Sequence, residues 1–201
     1  MFLRLTLPIA TLFVTVLGTF GSSAFAATSA DSLANARDAT AVYQDQAAAA
    51  ASGYELLTDA AGLACIDDPS MGAMGVHYVK GALVGDGAID PARPEALVYE
   101  VSRDGKVNLV AVEYVVLQSA WDSAHSSVPM LFGQKFMLNP AGNRFGLPAF
   151  YSLHAWIYKQ NPSGTFAPFN PRVSCAGDVR AEAATVASDP DEGGEMANMG
   201  H

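Results

Sequence analysis

Three ionisable side chains lie inside stretches of the chain that are otherwise apolar. Glu113 is in the middle of the β-branched run Val107–Leu117, and His77 and His154 each stand between apolar or aromatic neighbours. A run of this kind is typical of a central strand that is buried on both faces. A carboxylate buried there is costly unless another group pairs with it, a proton neutralises it or it binds a metal ion.

These three residues can form one metal site if their strands turn all three side chains inward. Two imidazoles and one carboxylate are a recurrent ligand set for Zn, Fe or Cu, with positions left open for water or substrate. The chain has no HxH or HExxH spacing, so the phase of the strands alone supports this prediction. We therefore predict a divalent transition metal at His77, Glu113 and His154, inside β structure.

The same residues have a purely structural interpretation. Each histidine can be an ordinary core residue, and Glu113 can pair with Arg144 or Lys135. Copper recruitment is a further alternative, because thioether and imidazole ligands suit copper. The side chains that suggest it lie near His77 and near the C terminus: Met71, Met74, Met196, Met199 and His201.

Two aromatic side chains, Trp156 and Tyr158, can line a pocket for a small apolar ligand, although filling the core is the more frequent role. A ligand there would make the protein a non-catalytic binding module, and a structural envelope protein is a third alternative. The sequence contains no G-x-S-x-G elbow, phosphate loop or dinucleotide fingerprint. Whether the protein is an enzyme therefore stays open, and no catalytic residue is predicted.

The register of the central hairpin can be predicted from its turn, because Asp104-Gly105 is a strong hairpin signal. A two-residue loop places Ala96 opposite Glu113 and Glu100 opposite Leu109. It also places Leu109 on the same face as Glu113, together with Ala111, Val115 and Leu117. The two glutamates would then lie roughly 13 Å apart along the ladder, too far to form one carboxylate pair.

The remaining pattern predicts a mainly β (α+β) fold: an antiparallel β-barrel or sandwich with one N-terminal helix docked on it. The helix is expected over Thr28–Ser52, which is rich in alanine and ends before Gly53. Further strands are expected over Leu131–Leu138 and Phe150–Lys159, and a loop over Ser119–Ser127.

The first 26 residues resemble a secretory signal. Arg4 precedes the mostly apolar segment Leu5–Phe20, and Ala24-Phe25-Ala26 matches a cleavage site. We therefore expect an exported protein of bacterial type, periplasmic or secreted, with one globular domain over 27–175. Cys65 and Cys175, the two cysteines, are expected to form a disulfide, because exported cysteine pairs usually do.

The charge of the chain excludes some partners. Its 11 basic and 20 acidic residues give a formal charge of −9, and removal of the signal, which contains Arg4 and no acid, would leave −10. Such a surface repels phosphate backbones, so no nucleic-acid partner is expected. No apolar run after the signal is long enough to span a membrane. Residues 176–201 are acidic and lack aromatic residues, which predicts a disordered tail.

Overall fold

The computed structural model describes residues 29–177. The predicted signal segment and nearly all of the predicted tail lie outside these residues. The helices are α1 (Ser29–Thr40), a 3₁₀ turn (Ala41–Gln44), α2 (Gln46–Ala51), α3 (Gly81–Val84) and α4 (Gln118–Asp122). The strands are β1 (Glu55–Leu56), β2 (Cys65–Asp68), β3 (Gly72–Val79), β4 (Ala96–Val101), β5 (Val107–Leu117), β6 (Met130–Leu131), β7 (Gln134–Lys135), β8 (Met137–Asn139) and β9 (Phe150–Ala155).

Seven of the strands form one antiparallel sheet. Its order is β1-β3-β4-β5-β9-β8, and β2 pairs with β3 beside this path, whereas β6 and β7 form a separate hairpin. The predicted mainly β, antiparallel fold is therefore confirmed. Within residues 29–177 the sheet does not close into a barrel, because its path ends at β1 and at β8. In the same residues no helix is long and apolar enough to cross a membrane.

The sheet packs against two apolar clusters. The larger cluster includes Leu97, Tyr99 and Tyr114, together with Ala36 of α1 and Ala49 of α2. The smaller cluster is built around Val98 and Ala111 and includes both cysteines. Residues of β4 and β5 alternate between the clusters because successive side chains of a strand point to opposite faces. The N-terminal helical segment therefore covers one face of the sheet, as predicted.

That segment is not the single helix predicted over Thr28–Ser52. It is interrupted at Asp45, which has an extended backbone conformation and whose side chain accepts a hydrogen bond from the Ala47 N–H at 2.9 Å. This is the geometry of an N-cap residue, which satisfies a free N–H at the start of a new helix. Alanine propensity alone did not reveal the interruption.

The central hairpin is offset by one residue from the prediction near its turn. Ser102 N–H bonds to the Lys106 carbonyl, so the loop contains three residues and ends on Gly105 at a φ of 78°. A bulge in β5 then restores the register, and Ala96 lies opposite Glu113 as predicted. Because of the bulge, Leu109 pairs with Tyr99 and joins the larger cluster, so the prediction that it shares a face with Glu113 is wrong.

Three other predicted boundaries need correction. The expected strand Leu131–Leu138 is divided into β6, β7 and β8, because Phe132 and Gly133 both have positive φ and form a tight turn. The expected loop Ser119–Ser127 begins with the short helix α4. The strand expected over Phe150–Lys159 ends at Ala155.

The predicted disulfide is present. Cys65 of β2 bonds to Cys175, 110 residues later in the chain, and the two Cα atoms are 5.6 Å apart. The bond fixes the end of the described chain to the edge of the sheet beside β3.

Candidate functional site

Glu113 and His154 face each other directly across the β5–β9 pair. The register sets them opposite one another, and the Nδ1 atom of His154 lies 3.2 Å from Oε1 of Glu113. Directly opposed side chains in an antiparallel pair are close neighbours on one face of the sheet. Strand pairing alone therefore brings together the carboxylate and one imidazole.

His77 reaches the same point from two strands away. It lies on β3, opposite Val98 of β4, and β4 separates it from β5. The residue of β4 that faces Glu113 is Ala96, which is fully buried. Because this side chain is a single methyl group, the imidazole can extend over it, and Nε2 of His77 lies 3.4 Å from Oε2 of Glu113.

The three side chains form a closed triangle, which we call the His-Glu-His group. Nε2 of His77 also lies 3.3 Å from Nε2 of His154. One donor atom from each residue can be chosen so that all three lie within 4.8 Å of one another. Two ligand atoms bound tetrahedrally to Zn²⁺ at about 2.0–2.1 Å would lie about 3.4 Å apart, and the separations of His77 Nε2 from His154 Nε2 and from Glu113 Oε2 match this value. The contact between His154 and Glu113 uses the other ring nitrogen, Nδ1.

Burial favours the neutral form of every member of the group. It lowers the pKa of His77 to about 4, although the charge of Glu113 opposes the shift. It lowers the pKa of His154 to about 4 as well. It raises the pKa of Glu113, against the effects of His77 and a Ser152 hydrogen bond. Both imidazoles are therefore uncharged near neutral pH, the form in which histidine binds metals.

The Glu113 carboxylate has no basic residue to balance it. It is 8% exposed, and among residues 29–177 it forms no ion pair with lysine or arginine. The predicted alternative partner Arg144 pairs with Asp59 instead, at 2.8 Å, and Lys135 is exposed on the β6–β7 hairpin. The pairing of Glu113 with Arg144 or Lys135 is therefore contradicted. A metal ion or a proton would supply the missing positive charge.

Hydrogen bonding alone satisfies the group only in part. The Nδ1–H of His154 can donate to Glu113, and the Nε2–H of His77 can donate to His154, but Nδ1 of His77 is buried without a hydrogen-bond partner. When a carboxylate accepts from Nδ1 of a histidine, it directs Nε2 of the same ring outward as a ligand. Glu113 is placed to orient His154 in this way.

The group borders a cavity of about 660 Å³. The strands that carry the His-Glu-His group contribute apolar lining residues, among them Val79, Val115, Leu117 and Phe150. Loops contribute the other apolar lining residues, which include Leu57, Phe145, Leu147, Pro148 and Phe169. A smaller cavity of about 120 Å³ also borders His154 and Ser152, and Lys135 is among its other lining residues. Cavities of the larger size commonly bind a small organic molecule.

The other residues singled out in the sequence lie elsewhere. Trp156 stacks beside His154, with ring centroids 6.1 Å apart, and donates its N–H to the Ala167 carbonyl. The Tyr158 hydroxyl donates to the Arg37 carbonyl of α1. Neither aromatic residue lines the larger cavity, and Glu100 pairs with Lys159.

Of the methionines that suggest copper, Met74 lines the larger cavity and Met71 is exposed. Met196, Met199 and His201 lie outside the described residues.

Sequence reasoning assigned no role to two polar residues beside the group. Ser152, on β9 and two residues before His154, lowers the pKa of Glu113, and Asn139 of β8 donates to the Ser152 hydroxyl at 3.1 Å. The alternation of β9 places Ser152 on the face of His154, a signal that was present in the sequence. The position of Asn139 depends on the pairing of β8, which had no local signal.

Comparisons of the chain with models of known protein families, with curated proteins and with solved structures gave no match.

Proposed function

We propose that this protein is an exported metal-binding protein that holds one transition-metal ion, Zn, Cu or Fe, at His77, Glu113 and His154. The observation that carries the proposal is a buried carboxylate between two neutral imidazoles, with all three donor residues close together and no basic partner among the described residues. A divalent cation would neutralise the carboxylate and use the free nitrogen lone pairs.

Three protein ligands leave at least one coordination position for water or a small molecule. Open sites with two imidazoles and one carboxylate serve hydrolytic zinc chemistry and oxidative iron chemistry. The adjoining cavity supports access of a small molecule to that position. These features are compatible with an enzyme, but no residue outside the His-Glu-His group is assigned a catalytic role.

Export is part of the proposal. Disulfides persist in oxidising compartments, so the Cys65–Cys175 bond supports a periplasmic or secreted protein. We assign residues 1–26 to a signal peptide, 27–175 to the folded domain and 176–201 to an acidic tail.

The cavity favours a second candidate function, the binding of a small molecule without metal or catalysis. Its walls are mainly apolar, and its volume of about 660 Å³ is typical of sites for small organic ligands. In that case the His-Glu-His group would provide hydrogen bonds to the ligand and would not bind a cation.

The unfolding of wild type and Glu113→Gln, measured in chelator and in excess Zn²⁺ or Cu²⁺, separates the two functions. At 100 times Kd a bound metal stabilises the folded state by about 2.7 kcal/mol. We expect this gain in wild type and its loss in Glu113→Gln, because the amide keeps the shape but lacks the charge. Glu100→Gln is the matched control, since Glu100 pairs with Lys159 outside the group. Equal stability of wild type with and without every metal would favour the metal-free function.

A further inference from the structure

We infer that the larger cavity binds an elongated apolar molecule that ends in one oxygen-donor group, with the oxygen placed at the His-Glu-His group. This inference rests on the proposed metal function for the donor end and on the cavity walls for the apolar end. It names the class of ligand that the site would take: a small amphiphile with an apolar tail and a carboxylate, hydroxamate or similar head.

The other polar side chains that line the cavity form hydrogen bonds with groups of the protein. The Asn143 amide donates to the Pro140 and Leu147 carbonyls, both at 2.9 Å, and its oxygen accepts from two N–H groups of its own loop. The Arg144 guanidinium donates to Asp59 through Nε and Nη2. Asn139 donates to Ser152. These polar side chains are therefore already engaged by the protein, and the metal proposed at the His-Glu-His group is where an oxygen donor of a ligand would bind.

The loops that line the cavity are fixed to each other by hydrogen bonds. Asp59 accepts the N–H groups of Ala61 and Leu63 through one oxygen and the Arg144 side chain through the other. The Ala60 N–H also donates to the Arg144 carbonyl at 2.9 Å. These bonds join the two loops of the wall, so a ligand would occupy a site that is largely preformed.

Some of the apolar side chains that line the cavity are exposed to solvent. Met137 is 52% exposed and Leu147 is 36% exposed, and both contribute to the cavity lining. Large apolar side chains exposed around a cavity commonly mark a ligand-binding site. An apolar tail that passes between them would cover these side chains, whereas a small polar ligand would leave them in water.

The test compares two ligands with the same head, acetohydroxamate and octanohydroxamate, by calorimetric titration of the Zn²⁺-loaded protein. The hydroxamate binds the metal in both cases, and the longer molecule adds six methylenes. Each fully buried methylene strengthens binding roughly fourfold. We expect octanohydroxamate to bind at least about 100-fold more tightly, because its tail would lie between the apolar walls.

Two matched variants locate the tail. Leu117→Trp places a larger side chain in the cavity wall. It should remove most of the difference in affinity between acetohydroxamate and octanohydroxamate, and the metal content should not change. Leu138 is a 44% exposed residue of β8 that does not line the cavity, so Leu138→Trp should leave the difference in affinity unchanged. If Leu117→Trp binds both ligands as wild type does, the tail lies elsewhere and the inference is overturned.

The possible failures are distinguishable. Equal affinity of wild type for the two hydroxamates, with metal bound, overturns the inference and leaves the proposed metal function standing. If wild type takes up no metal, the proposed function fails, and the same titrations are made on the metal-free protein. If the metal-free protein binds octanohydroxamate more tightly than acetohydroxamate, and Leu117→Trp abolishes that preference, the cavity binds the apolar tail as inferred. Equal affinity for the two ligands would overturn the inference.

Discussion

At the scale of single residues, the described part of the chain, 29–177, buries two glutamates in different surroundings. Glu113 stands between two imidazoles, whereas Glu95, which is 2% exposed, accepts one hydrogen bond from the Val115 N–H at 2.9 Å. Burial raises the pKa of Glu95 to about 7, helped by the charges of Asp86 and Asp90. Glu95 is thus neutralised by a proton below pH 7 and gains its charge as the pH rises above that value, and its role is separate from that of the His-Glu-His group.

Glu95 makes a pH dependence of stability predictable. Its pKa is raised from 4.5 to about 7 in the folded protein, so between these values the folded state binds more protons than the unfolded state. Stability from this group therefore falls as the pH rises through that window. Between pH 5 and pH 8, we expect the free energy of unfolding of Glu95→Gln to rise by roughly 1–3 kcal/mol relative to that of wild type. Denaturant unfolding at the two pH values measures this change.

Glu55→Gln, at an exposed residue of β1, controls for the general effect of removing a carboxylate. If Glu95→Gln and wild type differed in free energy of unfolding by the same amount at both pH values, Glu95 would not titrate in the way that its burial requires.

At the scale of the elements, four strands position the site, and β4 does so without contributing a ligand. β4 lies between the strand of His77 and the strand of Glu113, and Ala96 is its side chain beside the carboxylate. A larger residue there would occupy the space through which the imidazole reaches Glu113. We therefore expect the site to require a small side chain at Ala96.

We expect Ala96→Leu to weaken metal binding at least tenfold, measured by titration with Zn²⁺ or Cu²⁺. Overpacking a buried site also costs about 1–3 kcal/mol of stability, so the variant needs a control that is overpacked elsewhere. Ala155→Leu provides it: Ala155 is fully buried on β9 and belongs to the cluster on the opposite face. Equal metal affinity in Ala96→Leu and wild type would show that this space is not needed.

Strand phase predicted much of the site, because alternation decides which side chains share a face. It allowed Glu113, His77 and His154 to meet if all three strands turned them inward, and the structure brings them together. It failed for Leu109, since the Asp-Gly turn suits loops of two or three residues and a bulge beyond the turn then changed the face. It also missed the tight turn at Phe132, because a positive φ is uncommon outside glycine and asparagine.

At the scale of the whole molecule, the site depends on segments that are far apart in the chain. The walls of the cavity come from loops near residues 57, 145 and 169, and their meeting has no local sequence signal. The disulfide stabilises part of this arrangement by joining β2, which pairs with the strand of His77, to Cys175. The predicted cysteine pair was thus a stronger guide to tertiary structure than any local pattern in the loops.

Removing the disulfide should lower the free energy of unfolding substantially. A bond that closes a loop of 110 residues stabilises by roughly 4–5 kcal/mol in the chain-entropy model, and often by less in practice. We expect Cys65→Ser/Cys175→Ser to lose about 2–5 kcal/mol in denaturant unfolding. Reductant should destabilise wild type and leave the double variant unchanged. Two thiols that react with an alkylating agent in unreduced, native wild type would contradict the bond.

The central claim, that the His-Glu-His group binds one metal ion, is tested most directly by the metal content of the purified protein. Wild type, His154→Ala and His125→Ala would each be equilibrated with Zn²⁺, Cu²⁺ and Fe²⁺, freed of excess ion and analysed by elemental mass spectrometry. His125 is an exposed histidine that stacks on Trp121, outside the group, and serves as the matched control. We predict about one ion per chain in wild type and His125→Ala, and loss of that ion in His154→Ala. Wild type without metal, or an equal metal content in all three proteins, would contradict the account.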